Sequence, residues 1–195
     1  MRRTIICLLA LAATPAGAFA QLSPVFSTAD SSAARIQANL RLLLNGALRR
    51  NIVQAAEAMP ADKYGFAPTI GEFAGVRTFG RQILHLAATN YILAAAALGQ
   101  APPAHAGDEA GPDSVVTKVQ HVAYLIASFD AVERAIDAIG DERIPVRASP
   151  ISPFQGRSAT RVGLIVEAMI HAYDHYGQMV VYLRMNGIVP PASRR

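Results

Sequence analysis

Three histidines stand in stretches that are otherwise apolar: His85, His171 and His175. The last two are four residues apart. On a helix, such a pair projects from one face with Cβ atoms about 5 to 6 Å apart, a spacing that lets two imidazoles converge on one ion. His85 lies in a separate helical stretch and can supply a third nitrogen from a facing helix. An HxxxH pair alone is more often two exposed or hydrogen-bonded side chains than a metal site, so the weight rests on the third, mid-helix histidine. Three neutral imidazoles suit a divalent ion, zinc or nickel first, with iron also accommodated. Three protein ligands leave a coordination position for water or substrate, and an ion so held lowers the pKa of bound water toward about 7.

The stripe that carries the histidine pair runs Glu167, His171, His175, Gln178. Glu167 reads as a solvated residue, or as a carboxylate that orients an imidazole or acts as base, rather than as a fourth ligand. Gln178 either supports an imidazole from behind or bonds a neighbouring loop. Tyr64 is the second candidate base or orienting group, although a tyrosine between helices is more often packed with its hydroxyl bonded. His105 and His121 have no partner at ligand spacing and read as structural or exposed.

Other chemistries lose their support. Cys7 is the one cysteine of the chain, and it falls within an N-terminal stretch with the pattern of a Sec-type signal: Arg2 and Arg3, a short apolar run, and Ala18-Phe19-Ala20 before the expected cleavage site. The expected product is periplasmic or secreted, with no stable membrane anchor. Cleavage after Ala20 takes 20 residues from 195 and leaves 175, enough for one domain. The mature chain then has no thiolate, so a metal site must use nitrogen and oxygen. Removing two leader arginines leaves sixteen basic against fourteen acidic residues, a charge of +2. That balance, without a basic block, gives no footprint for nucleic acid, despite a whole-chain pI near 9.6. No GxSxG, phosphate-cradling glycine loop or HExxH occurs, so a small-molecule substrate at a metal site is the remaining enzymatic expectation.

The elements that must position these residues are helices. Residues 31–59 carry Ile36, Leu40, Leu44, Leu48, Ile52 and Ala56 at helical spacing. A second helix is expected over 77–98, with Gly99 as its stop. A third follows a Pro/Ala/Gly-rich connection, capped at Asp113 or Ser114, and ends near Gly140. A fourth opens at Ser158 or Thr160 and stops at Gly187. No stretch alternates as a strand does. The pattern predicts an all-α antiparallel four-helix bundle over 31–191, preceded by a lead (21–30) and followed by a short tail (192–195). Connections of thirteen or more residues leave the helix order open.

The chain resembles the DinB/YfiT-like family of metalloenzymes. The resemblance rests on MPADKYGFAPT (59–69), FGRQILHLAATNYILAAAALGQAPP (79–103) and HAYDHYGQMVVYLRMNGIVPP (171–191), in that order. It implies a four-helix bundle holding a divalent metal on three histidines, here His85, His171 and His175. The family is similar to thiol-dependent transferases, and dimers are common in it, so a homodimer is among the implied partners. A signal peptide departs from the usual pattern and sets the chain apart from a cytoplasmic thiol cosubstrate. The expected function is an exported metal-dependent hydrolase or transferase; the alternative is a non-catalytic metal-binding or stress-related bundle.

Overall fold

A computed structural model describes residues 32–141, 145–147 and 158–194. The expected signal peptide and lead lie outside the described residues. The helices are α1 (Ser32–Leu43), α2 (Arg49–Ala58), α3 (Phe79–Ala97), α4 (Lys118–Asp137) and α5 (Arg161–Met185). A π-helical segment, Leu44–Leu48, joins α1 to α2, so the two form one column. Its cause is visible in the sequence. Leu40, Leu44, Leu48, Ile52 and Ala56 are all buried at four-residue steps. Such a stripe precesses by about 40° per step on a 3.6-residue helix; the wider π turns take up the surplus and keep the stripe on the core.

Helix α3 is the centre of the bundle. Every residue from Phe79 to Ala97 except Arg81 is buried, as expected for a helix apolar on all sides. It packs on both α4 and α5, and the first column also packs on both. Side-chain pairs fix the directions. Gln37, Arg41, Asn45 and Arg49 meet Ile139, Asp137, Glu133 and Asp130 in turn, so the first column and α4 are antiparallel. On α3 and α5, His85 meets His171 while Gln82 meets His175 and Gln178, again antiparallel. Antiparallel pairing therefore holds for these two contacts. Helices α3 and α4 run parallel, since Gly80 faces His121 and Asn90 bonds Ser128. The Pro/Ala/Gly-rich connection between them is a crossover that returns the chain to its starting end, which is why it is so long.

Two local expectations are corrected. The cap of α4 is Thr117, not Asp113 or Ser114: Thr117 and Gln120 form a reciprocal capping box, while Asp113 pairs with Arg81 at 2.8 Å. A short antiparallel ladder also forms, with Val146 opposite Ala159 and Arg147 opposite Ser158. Two residues per strand are too few to leave an alternating pattern. Helix α5 begins at the Thr160 cap, whose hydroxyl accepts from Gly163 N–H at 2.9 Å. Among the described residues, no helix is long and apolar enough to cross a membrane.

Candidate metal centre

The antiparallel contact of α3 and α5 brings the three histidines together. Their ligand-type atoms lie within 4.8 Å of one another. His171 Nε2 is 3.1 Å from His85 Nε2 and 3.0 Å from His175 Nε2. His85 and His175 are buried, at 6% and 5% exposure, and His171 is half-buried.

The opposite ring nitrogens fix the protonation pattern. His85 Nδ1–H donates to the backbone carbonyl of Glu109, which leaves Nε2 as a lone pair facing the cluster. For His175 the direction is set from a distance. A carboxylate only accepts, so Gln178 Nε2 donates to Asp174 at 2.9 Å. Gln178 Oε1 then accepts from Gln82 Nε2 at 2.8 Å, and Gln82 Oε1 accepts from His175 Nδ1–H at 2.6 Å. The chain Asp174–Gln178–Gln82–His175 thus also leaves Nε2 as a lone pair. Such supports set the orientation and basicity of a ligating imidazole. His171 Nδ1 is buried with no partner.

This donor set fits a divalent ion. Two lone pairs and His171 Nε2 face one another across contacts of 3.0 and 3.1 Å. One proton on His171 would have to be shared between two acceptors, whereas a cation relieves all three. The short separations are less than twice the zinc–nitrogen bond length of about 2.0–2.1 Å, so one ion can bond His171 and either neighbour. Burial, and then the neighbouring imidazoles, push His171 down to about 3. Burial, then His85, push His175 down to about 4. Burial likewise lowers His85. All three are neutral bases at neutral pH.

These shifts predict the acid response of the metal-free protein. An unfolded imidazole titrates near 6.5, while His171 and His175 resist protonation in the fold until about 3 and 4. Between those limits the unfolded chain binds more protons, so stability rises with pH and is lost as pH falls below about 6.5. At pH 5, unfolding should take up roughly two protons at these residues. Denaturant melts from pH 7 to 4.5 should show a falling midpoint, with a shallower slope in His171→Leu; a flat wild-type profile would contradict it.

The other expected site residues fall elsewhere or stand one step removed. Gln178 reaches His175 only through Gln82. Glu167 is half-buried on α5, one turn before His171, and is not part of the cluster of ligand atoms. Tyr64 donates its hydroxyl to Ala56 O at 2.7 Å, and its ring packs edge-on against Phe79 and His121. Burial raises its pKa, so the phenol keeps its proton and is no base. His121 is buried, with Nδ1–H donated to Thr117 O at 2.7 Å, while His105 is exposed against the edge of Tyr91.

A family model described as the DinB superfamily matches residues 46–179. The chain belongs to the DinB superfamily. The match runs from the π segment of the first column into the last third of α5 and takes in all three histidines, Gln82, Asp174 and Gln178. No curated protein matches the chain significantly. The superfamily match and the three-histidine cluster together fit a metal-binding site.

Sequence reasoning missed Gln82 and Asp174. The signal for Gln82 was present: it precedes His85 by three residues and therefore shares its face of α3. Asp174 adjoins His175 in sequence, but its part depends on two intervening amides. Replacing Gln82 with leucine should leave the helices intact and weaken metal binding about 10–100-fold, measured by competition with a chromophoric chelator. Wild-type affinity in Gln82→Leu would show that the chain of amides does not support the ligand.

Proposed function

We propose that this DinB-superfamily protein is an exported metal-dependent enzyme, a hydrolase or transferase, that holds one divalent ion on His85, His171 and His175. The observation that carries the reading is the convergence of three imidazole Nε2 atoms, two of them with Nδ1–H tied back to Glu109 and Gln82. A divalent ion on neutral imidazoles supplies Lewis acidity, polarising a substrate oxygen and acidifying water.

The chain's own residues supply the rest. The Glu109 carbonyl and the Asp174–Gln178–Gln82 series orient two imidazoles, and the apolar length of α3 keeps bulk water from the buried side of the site. Glu167, one turn before His171, is the residue proposed to hold or move a proton. The proposed substrate is a small molecule. Export rests on the N-terminal pattern, and N-terminal sequencing of the secreted or periplasmic protein should begin at Gln21.

The test is turnover of ester, amide and thiol-reactive probes by zinc- or nickel-loaded protein, with chelated protein and Glu167→Gln beside it. Metal-dependent turnover that falls in Glu167→Gln supports an enzyme. Retained metal with no turnover of any probe would favour the non-catalytic metal-binding reading.

A further inference from the structure

A second cavity opens between α3 and α4, apart from the histidine cluster. It holds about 470 Å³ and is lined by α3, α4 and the first part of the crossover, with no residue of α5 and none of the three histidines. Small-molecule sites occupy about 300–1,000 Å³. The sequence leaves this space free by placing small side chains on both helices, Ala94 and Ala95 on α3 and Ala127 and Ala131 on α4. The crossover wall is fixed. Gln100 N–H closes the end of α3 onto Ala95 O at 2.8 Å, and the Tyr124 hydroxyl reaches the carbonyls of His105 and Ala106 at 3.2 and 3.3 Å.

Two unused donors line this cavity. Tyr91 is only 6% exposed and its ring meets His105 edge-on at 4.9 Å, yet among the described residues its hydroxyl donates no hydrogen bond. A buried phenol ordinarily has a partner. Burial raises the pKa of Tyr91, so the proton stays available for donation. The second donor is Arg134, in the last turn of α4. Among the described residues it forms no ion pair.

The neighbouring acceptors are already engaged. Asp130, one turn before Arg134 and also on the cavity wall, holds Arg49 at 2.7 Å. Glu133 and Asp137 do not line the cavity and meet Asn45 and Arg41 of the first column. The carbonyls of Ala94, Ala95 and Ala96 accept from the N–H groups of Leu98, Gln100 and Gly99. The charge left open at the cavity is therefore a single positive one.

We propose that this cavity is a second binding site, for a small aromatic monocarboxylate whose carboxylate meets the Tyr91 hydroxyl and the Arg134 guanidinium. A guanidinium fork and a phenol O–H both suit carboxylate oxygens, and one unpaired cation matches one negative charge. The alanine floor and the rings of Tyr91 and His105 suit a flat apolar body. The site does not depend on the metal centre proposed above, so either can fail without the other.

The test titrates metal-free protein calorimetrically with benzoate, and with benzamide as the neutral isostere. Wild type is compared with Tyr91→Phe, Arg134→Gln, Ala127→Phe and His171→Ala. Tyr91→Phe removes a hydroxyl that donates to nothing in the described fold, and Arg134 and Ala127 are exposed, so these variants should fold. Wild type and His171→Ala should bind benzoate alike, and benzamide about tenfold more weakly. Tyr91→Phe should weaken benzoate about tenfold, and Arg134→Gln about fivefold, because its guanidinium is partly in water. Ala127→Phe places a ring in the cavity and should abolish binding. No benzoate binding by wild type, equal affinity for benzamide, or wild-type affinity in Tyr91→Phe, Arg134→Gln or Ala127→Phe would each overturn the proposal. Loss of binding in His171→Ala would move the anion to the three-histidine centre and overturn it as well.

Discussion

His171→Ala should lose stoichiometric metal binding and keep its helices. His171 Nε2 is the nitrogen in close contact with both others, at 3.1 and 3.0 Å, so its removal breaks both short contacts at once. The remaining imidazoles still have their supports, Glu109 and Gln82, but two nitrogens hold an exchangeable ion far less firmly than three. A loss of about a thousandfold corresponds to roughly 4 kcal/mol, a modest share of the binding energy of a built metal site. The fold should tolerate the change. His171 is half-buried, its Nδ1 has no partner to abandon, and its pKa is the most depressed of the three. Chelator competition and far-ultraviolet circular dichroism, read together, check both parts. One ion per chain at wild-type affinity in His171→Ala would remove this residue from the site.

The second large effect lies in the crossover between α3 and α4. Gly111 has a φ of +80°, and a Cβ built there would come 2.9 Å from Leu84 Cβ and 3.0 Å from Leu84 O. Alanine would meet both a disfavoured backbone conformation and the backbone of α3, which cannot give way as a flexible side chain could. These penalties together make a destabilisation of about 2–4 kcal/mol the expected result of Gly111→Ala. The position also bears on the site. Gly111 N–H closes a turn onto Asp108 O at 3.0 Å, and Asp108 Oδ1 accepts from Ala110 N–H at 2.8 Å. Between them stands Glu109, whose carbonyl holds His85 Nδ1–H. Lifting the loop off Leu84 should free that histidine and weaken metal binding by about 10–100-fold. Thermal melts and chelator competition on the same samples test both effects. A variant with lost stability but wild-type metal affinity would show that the loop's contact with His85 is not what holds the ligand.

Much of the arrangement was legible because it depends on periodicity. Helical spacing located the first column, α3, α4 and α5 to within a few residues, and the mid-helix placement of His85 marked it as more than a surface residue. Gly99 and Gly187 marked helix ends because the chain there needs a positive φ, 71° in both. What was not legible depends on tertiary placement. The parallel run of α3 and α4 follows from a crossover whose path is set by close contacts such as Gly111 on Leu84. The acid that supports an imidazole is Asp174, through Gln178 and Gln82, because those amides meet only when α3 and α5 pack antiparallel. Tyr64 lies in a segment that resembles the family, yet its hydroxyl closes onto the Ala56 carbonyl near the end of α2, a contact that sequence spacing does not reveal.

The central claim is that three converging imidazoles hold an ion. The most direct measurement is the metal content of the wild-type protein, purified without chelator or metal-affinity tag and then titrated with zinc and nickel. The expected result is about one ion per chain, removed by chelator and restored by titration. No ion as purified, and none taken up from either metal, would contradict it and leave His85, His171 and His175 as a buried polar cluster of the bundle.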